Sequence, residues 1–176
     1  GADSLLELYE GTSFIVDPER PNLLAEDTPL TQDEIKDLLD RMDDAEWHLQ
    51  DLREKQLPVE ELTAYNHLAI YLRWNLEHGR MSEEFRSRYK ELMQQFAADP
   101  SGTDLRLFIR DELGGILRHS MFDEEGSAFS SYYYGQNEAP YFPSDIDDYA
   151  LRRFGPKEYF AEKYQDETYL FIPFDE

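Results

Sequence analysis

The residues best suited to chemistry in this sequence are its four histidines, and their spacing matches no known catalytic or metal-binding motif. His48 and His67, with a nearby carboxylate, have the donor types that bind a metal ion or move a proton. No HExxH or ExxH pair occurs, and about three helical turns separate His67 from His78, so one ion cannot join those two. We therefore expect His48 and His67 to be buried, hydrogen-bonded residues beside Trp47 and Trp74, with no metal and no cofactor.

The acidic residues do not indicate catalysis either. Asp145, Asp147 and Asp148 resemble part of a calcium loop, but the glycine and the terminal glutamate of an EF-hand are missing. The sequence contains no phosphate-binding glycine loop and no GxSxG turn. Carboxylates are so abundant that no pair stands out as an acid and a base in different surroundings. The sequence predicts no catalytic residue and a protein that is not an enzyme.

The densest aromatic stretch is Tyr132-Tyr133-Tyr134, followed shortly by Tyr141 and Phe142. Such a stretch is typical either of ordinary core packing or of a protein interface, where aromatic side chains are enriched. Stacking on single-stranded nucleic acid would also need a basic groove, and the flanking charges here are acidic. Both of the first two interpretations remain open at this point.

Charge is the outstanding global property. The chain has 17 basic and 39 acidic residues, a net charge of −22. Residues 1–62 carry 5 basic and 18 acidic residues, residues 63–118 carry 8 of each, and residues 119–176 carry 4 and 13. Two acidic flanks around a neutral centre repel nucleic acid and anionic membranes and attract a basic protein. A generic acidic surface that keeps the protein in solution is the alternative.

The chain has no cysteine, so a disulfide framework, a zinc–thiolate site and a cysteine nucleophile are excluded. No apolar run approaches the ~20 residues that cross a bilayer, and no signal peptide is visible at the start. These features favour a cytoplasmic protein without membrane contact. They do not determine its oligomeric state.

Apolar periodicity and capping residues predict a mainly α fold, a compact helical bundle with a minor β element from the N-terminal arm or the C-terminal tail. Residues 1–30 are expected to form an arm packed on a single helical domain, 31–176. A capping box at Thr31 and Glu34 starts a helix whose apolar face runs from Ile35 to Met42. Residues 59–78 form the most apolar helix, ended by Gly79.

Further helices are predicted along the rest of the chain. Ser82 caps a helix that runs to Phe96, and Thr103 caps another that ends at Gly114-Gly115. A helix over 124–134 and a short helix from Ser144 follow, and residues 169–174 resemble a strand or an extended tail.

Several stretches taken together resemble a family of uncharacterised bacterial proteins of unknown function. They span roughly residues 42–165 and comprise Asp43-Asp44-Ala45-Glu46-Trp47-His48, Ala64 to Trp74, Ser82 to Phe85, Gly126 to Phe129 with Tyr132-Tyr133, and Asp147-Asp148-Tyr149. The resemblance implies no established activity. Some small acidic bacterial domains of this general kind act as immunity proteins beside secreted toxins, and the resemblance suggests that role by analogy.

The leading hypothesis is a binding protein of immunity type, which sequesters a basic protein partner such as a toxin through acidic and aromatic surface. The candidate contacts are Asp37, Asp40, Asp44, Tyr132, Tyr133, Asp147, Asp148 and Tyr149. One alternative is a DNA mimic that inhibits a nucleic-acid-binding protein. A second is an enzyme or small-ligand binder whose pocket is formed by Trp47, His48, His67 and Trp74.

Overall fold

The computed structural model describes residues 29–134 and 142–154, without the side chains at positions 151 and 154. The chain divides into two compact units, residues 1–40 and residues 41–176. The described part is mainly α-helical with a small β element, as the sequence predicts. Most of the N-terminal arm and the extended segment expected at 169–174 lie outside the described residues.

Helix α1, Gln32–Asp40, belongs to the first unit. The predicted capping box is present, because Glu34 N–H donates to the hydroxyl of Thr31 and Thr31 N–H donates to the carboxylate of Glu34. The helix ends two residues earlier than its apolar pattern predicts. Met42, which the pattern placed on the helix, lies on a strand instead, so that part of the prediction is wrong.

The small sheet consists of β1, Arg41–Asp44, and β2, Ile116–Arg118, which pair antiparallel. Asp43 pairs with Leu117 and Asp44 pairs with Ile116, and the register is irregular between Arg41 and Asp43. Within the described residues the β element therefore comes from segments around 41–44 and 116–118, while most of the arm and the tail, where the sequence predicts it, lie outside them. Backbone pairing with β2 supplies the hydrogen bonds that a continued α1 would have made internally.

Helix α2, Ala45–Glu54, follows directly and is capped by the Asp44 carboxylate, which accepts from Glu46 N–H. A 3₁₀ turn, Glu61–Tyr65, leads into helix α3, Asn66–Glu77, so the single helix predicted over 59–78 is two elements. Gly79 follows α3 with φ +65°, the left-handed conformation that makes glycine the usual residue after a helix.

The predicted helix over 82–96 is interrupted. Ser82 caps α4, Glu83–Arg88, as expected, and α5, Lys90–Ala98, starts after a break at Tyr89, whose φ −115° and ψ 43° are not helical. Helix α6, Leu105–Glu112, is capped by Asp104 and not by Thr103. The hydroxyl of Thr103 instead donates to the Asp99 carbonyl, which corrects the predicted cap.

The last described elements are a 3₁₀ turn, His119–Met121, helix α7, Glu124–Tyr133, and helix α8, Phe142–Phe154. Helix α7 agrees with the prediction, whereas α8 begins two residues before Ser144. Among the described residues, no helix is both long enough and apolar enough to cross a membrane.

Helix α3 lies in the main core of the second unit. Leu68, Ala69 and Leu72 are fully buried there, together with Leu105 and Ile109 of α6. A smaller cluster beneath α2 contains Leu49, Leu52, Leu57 and Ala64. The two clusters hold β1, α2 and α3 in fixed positions, which is the condition for a precisely placed group of polar side chains between them.

Candidate functional site

Asp43 is a buried carboxylate, and the irregular pairing of β1 accounts for its direction. Asp43 and Asp44 are both buried although they are consecutive, whereas consecutive side chains of a regular strand point to opposite faces. The register irregularity just before Asp43 is the kind of bulge that redirects a side chain. Asp43 therefore lies within the protein, and Asp44 caps α2.

Two histidines converge on Asp43. His48 comes from the first turns of α2, and its Nε2 lies 2.9 Å from Asp43 Oδ1. His67 comes from the start of α3, and its Nε2 lies 2.8 Å from Asp43 Oδ2. Because an ionised carboxylate only accepts, both imidazoles donate from Nε2. The two rings meet edge to face at a centroid distance of 4.2 Å.

Tyr134 completes this group, which we call the Asp43 cluster: Asp43, His48, His67 and Tyr134. The Tyr134 hydroxyl donates to Asp43 Oδ2, the oxygen that also accepts from His67. The Tyr134 ring is buried, and it packs against Tyr71 and Phe142. Three donors thus hold one carboxylate, each from a different part of the chain.

The electrostatics of the cluster keep Asp43 ionised. Burial opposes the charge, but attraction to His67 and the hydrogen bonds from both histidines outweigh burial and hold the pKa of Asp43 well below its usual range. For His67 the balance is reversed, because complete burial lowers its pKa despite the neighbouring carboxylate. The arrangement is therefore an ionised carboxylate held by hydrogen bonds from two imidazoles, at a position where burial disfavours charge on His67.

Solvent reaches the cluster at His48. Its side chain is 16% exposed, whereas those of His67 and Asp43 are 4% and 7% exposed. A group with two imidazoles and one carboxylate can accept a proton, bind a cation or hold the structure together. His48 is the member that a small solute can reach from outside.

The four residues of the predicted pocket do not all have the same surroundings. His48 and His67 meet, and both are hydrogen-bonded as expected. Trp74 is 40% exposed and stacks on His78 and Phe129, while Trp47 is more than half exposed. Both tryptophans that the sequence places near the histidines are therefore exposed, and Trp74 has its ring contacts with His78 and Phe129. A surface groove of about 810 Å³ lies elsewhere, along α5 and α6, and is lined by residues such as Tyr89, Leu92 and Leu107.

Four stacked rings form a line at the surface. We call them the aromatic row: His78, Trp74, Phe129 and Tyr133. Successive ring centroids are 4.0, 5.4 and 5.1 Å apart, with interplanar angles of 18°, 26° and 29°. The first two rings are four residues apart on α3 or at its end, and the last two are four residues apart on α7. This spacing places each pair on one helix face.

Both ends of the aromatic row are fixed by hydrogen bonds. His78 Nδ1 lies 2.7 Å from the Trp74 carbonyl, and the Tyr133 hydroxyl donates to the Asp145 carboxylate. Burial and the hydrogen bond with Asp145 raise the pKa of Tyr133, so the hydroxyl keeps its proton. Contacts within the folded chain therefore hold the rings in their stacked positions.

The three consecutive tyrosines differ in burial, so neither core packing nor an exposed surface describes all of them. Tyr132 is 60% exposed, Tyr133 is half-buried in the aromatic row, and Tyr134 is in the core. Helix geometry requires such a division, because successive residues are about 100° apart around the axis.

The other predicted contact residues differ in exposure. Asp148 and Tyr149 of α8 are exposed, whereas Asp37 and Asp40 of α1 and Asp147 of α8 are partly buried. Asp44 is buried, its carboxylate caps α2 and it pairs with Arg41 at 3.3 Å, which leaves little of it to offer a partner.

Asp43, Tyr134 and Phe129 are site residues that the sequence patterns do not predict. Phe129 had a usable signal, because it lies four residues before Tyr133 in a predicted helix. Asp43 and Tyr134 are 91 positions apart, and nothing local marks either as the other's partner.

Comparison with known proteins identifies a family but no function. A family described as "Domain of unknown function (DUF7832)" matches residues 41–166. No curated protein and no solved structure matches the chain. The matched range contains the whole Asp43 cluster and the whole aromatic row.

Proposed function

This chain belongs to the DUF7832 family of domains of unknown function, and we propose that it is a binding protein, not an enzyme, that holds a basic protein partner against the aromatic row. The observation that carries the proposal is the row itself, with Trp74 and Phe129 each more than a third exposed. Large exposed apolar side chains grouped together mark interaction surfaces more often than single ones do.

The rings are suited to binding because they are already ordered. Trp and Tyr are the residues most enriched among energetically important contacts, and they lose few rotamers on binding. The hydrogen bonds at His78 and Tyr133 reduce that loss further. The exposed Tyr132 adds another ring on the same helix.

Charge selects the class of partner. No lysine or arginine occurs between Arg118 and Arg152, a stretch that includes all of α7 and the first part of α8. Asp145 contacts Tyr133, and Glu125 lies four residues before Phe129 on α7, where it pairs with Arg80. A partner that presents arginine or lysine would gain cation–π contacts with the rings and attraction to Asp145.

A toxin that acts on an anionic substrate is the partner that this charge distribution favours, because its active site is itself cationic. The chain would then act as an immunity-type inhibitor that occludes that site. The DNA-mimic alternative differs in one respect: its partner would be displaced by duplex DNA.

The test compares three versions of the chain as bait in extracts of the source cell. These are the wild type, the double variant Trp74→Ala/Phe129→Ala, and the control Leu107→Ala, which removes an equally exposed apolar side chain from α6. We expect a basic protein to be retained by the wild type and the control and lost with the double variant. With the purified partner, each row substitution should cost about 2 kcal/mol, roughly a thirtyfold loss of affinity. Equal retention by all three baits would contradict the proposal.

A further inference from the structure

The Asp43 cluster contains the donor atoms of a metal site, which is independent of the aromatic row. One ligand atom each from Asp43, His48 and His67 lies within 4.8 Å of the other two. Among the residues that the structure describes, this is the one group of three or more such side chains arranged closely enough to hold an ion. The three residues come from β1, α2 and α3.

We propose that Asp43, His48 and His67 bind one divalent transition-metal ion, with Zn²⁺ as the ion that the donor set fits best. Two imidazole nitrogens and one carboxylate are a common three-residue ligand set for zinc. Ca²⁺ and Mg²⁺ require more oxygen ligands than this cluster provides. The chain has no cysteine, so soft thiolate ligands do not compete for the ion.

The geometry needs only a small adjustment to admit the ion. The two Nε2 atoms lie 2.9 and 2.8 Å from the Asp43 oxygens, which are hydrogen-bond distances. Ligands at about 2.0–2.1 Å from a tetrahedral zinc are about 3.4 Å from one another, so the groups must separate by roughly half an ångström. Each imidazole then coordinates through Nε2, so the proton that Nε2 donates to Asp43 in the metal-free protein moves to Nδ1 of the same ring.

Tyr134 acts on the metal through Asp43. Its hydroxyl donates to Asp43 Oδ2, which fixes the orientation of the carboxylate without occupying a position on the ion. The fourth position remains for water, and the partly exposed edge of His48 is the entry side. The ion would link three elements that are otherwise joined only by hydrogen bonds and packing.

The experiment uses the full-length chain without a histidine tag, stripped with a chelator and dialysed. Titration with ZnCl₂ is followed by calorimetry and by elemental analysis after gel filtration, and CoCl₂ serves as a spectroscopic probe of nitrogen and oxygen coordination. We expect one ion per chain, a melting temperature that rises with zinc concentration, and no comparable binding of CaCl₂. Failure of the stripped wild type to retain zinc would overturn the proposal and would identify the cluster as a hydrogen-bond network only.

Variants assign the ligands. His48→Asn and Asp43→Asn should abolish stoichiometric binding, whereas His78→Asn, which alters a histidine outside the cluster, should leave it unchanged. Tyr134→Phe keeps all three ligands and should weaken zinc binding about 10–100-fold, the range for loss of an outer hydrogen bond. Circular dichroism checks that each variant is folded. Zinc binding that survives in a folded His48→Asn chain, or that His78→Asn removes, would place the ion elsewhere.

Discussion

At the scale of single residues, the buried Asp43 carboxylate is the centre of a hydrogen-bonded group that joins β1, α2, α3 and the end of α7. Three donors, from His48, His67 and Tyr134, are directed at its two oxygens. If the carboxylate is removed, these donors remain in a region where water replaces it poorly. Unsatisfied buried polar groups cost more than the hydrogen bonds themselves contribute.

Asp43→Ala should therefore lower the free energy of unfolding by about 3–5 kcal/mol, the cost of breaking a buried charged contact from one side. Urea denaturation of metal-free protein measures this. The control is Asp111→Ala, which removes a carboxylate that is paired with Arg110 at the surface. That substitution should change the free energy of unfolding little, because water solvates the exposed pair. If both variants lost a similar free energy of unfolding, the Asp43 cluster would contribute no more stability than a surface ion pair.

The pKa shifts of His67 and Asp43 predict a stability that falls toward acid pH. Burial holds the pKa of His67 below its ordinary value of 6.5, so below pH 6.5 the unfolded chain takes up a proton that the folded chain does not. Stability is therefore complete above pH 6.5 and decreases below it. The lowered pKa of Asp43 adds a second loss in the same direction below about pH 3.8.

Urea denaturation of metal-free protein between pH 4.5 and 8 tests the histidine part. We expect the wild type to lose up to ~1.4 kcal/mol per pH unit over part of the range below pH 6.5. His67→Gln keeps a donor for Asp43 but cannot titrate, so its stability should vary less in this range. His78→Gln should follow the wild type. If the stability of the wild type varied with pH as little as that of His67→Gln, the lowered pKa of His67 would be contradicted.

At the scale of elements, the position of α7 is set by a close contact at Gly126. A Cβ added at Gly126 would lie 2.7 Å from the Arg80 carbonyl oxygen, and the same carbonyl accepts from Asp123 N–H at 2.8 Å. Helix α7 thus packs against the backbone after α3 through a glycine. This contact positions Phe129 beside Trp74, and Tyr134 beside Asp43.

Gly126→Ala should destabilise the protein by about 1–3 kcal/mol, because the added methyl group forces α7 away from Arg80. Helix propensity alone predicts the opposite sign, since alanine is favoured over glycine by about 1 kcal/mol inside a helix. Thermal unfolding distinguishes the two. Ser127→Ala, the neighbouring position on α7, is the matched control and should change stability little. A stabilised Gly126→Ala chain would show that the close contact relaxes without cost.

At the scale of the whole molecule, the net charge of −22 governs encounters more than it governs the fold. A field of one sign raises the association rate of an oppositely charged partner and is screened by salt over a Debye length of about 10 Å at 0.1 M. Aromatic contacts that form after the encounter are less sensitive to salt. The association rate constant should therefore respond mainly to salt, and the dissociation rate constant mainly to the loss of an aromatic side chain.

For the basic partner recovered by the wild-type chain, raising the salt from 20 to 500 mM should reduce the association rate constant at least about tenfold and change the dissociation rate constant much less. Trp74→Ala should do the reverse and raise mainly the dissociation rate. Surface plasmon resonance measures both constants. An association rate that is independent of salt would remove the role proposed for the acidic flanks.

Local sequence information was sufficient for much of the fold. The capping residues Thr31 and Ser82, and the turn glycine Gly79, are where the sequence analysis placed them, because each acts on backbone groups within a few residues. The mainly α architecture follows from the same local patterns. The predicted end of α1 is wrong because two structures compete for the same residues. Met42 fits the helical period, yet pairing with β2 takes its segment into the sheet.

The sequence by itself determined the helical character, the acidity and the presence of two histidines able to act with a carboxylate, because composition and short-range periodicity carry that information. Only the tertiary structure decided that the carboxylate is Asp43, that Tyr134 holds it, and that Trp74 belongs to a surface row with Phe129. The physical reason is sequence separation. Asp43 and His67 are 24 positions apart and Asp43 and Tyr134 are 91 apart, so their contacts depend on how whole elements pack and not on any local pattern.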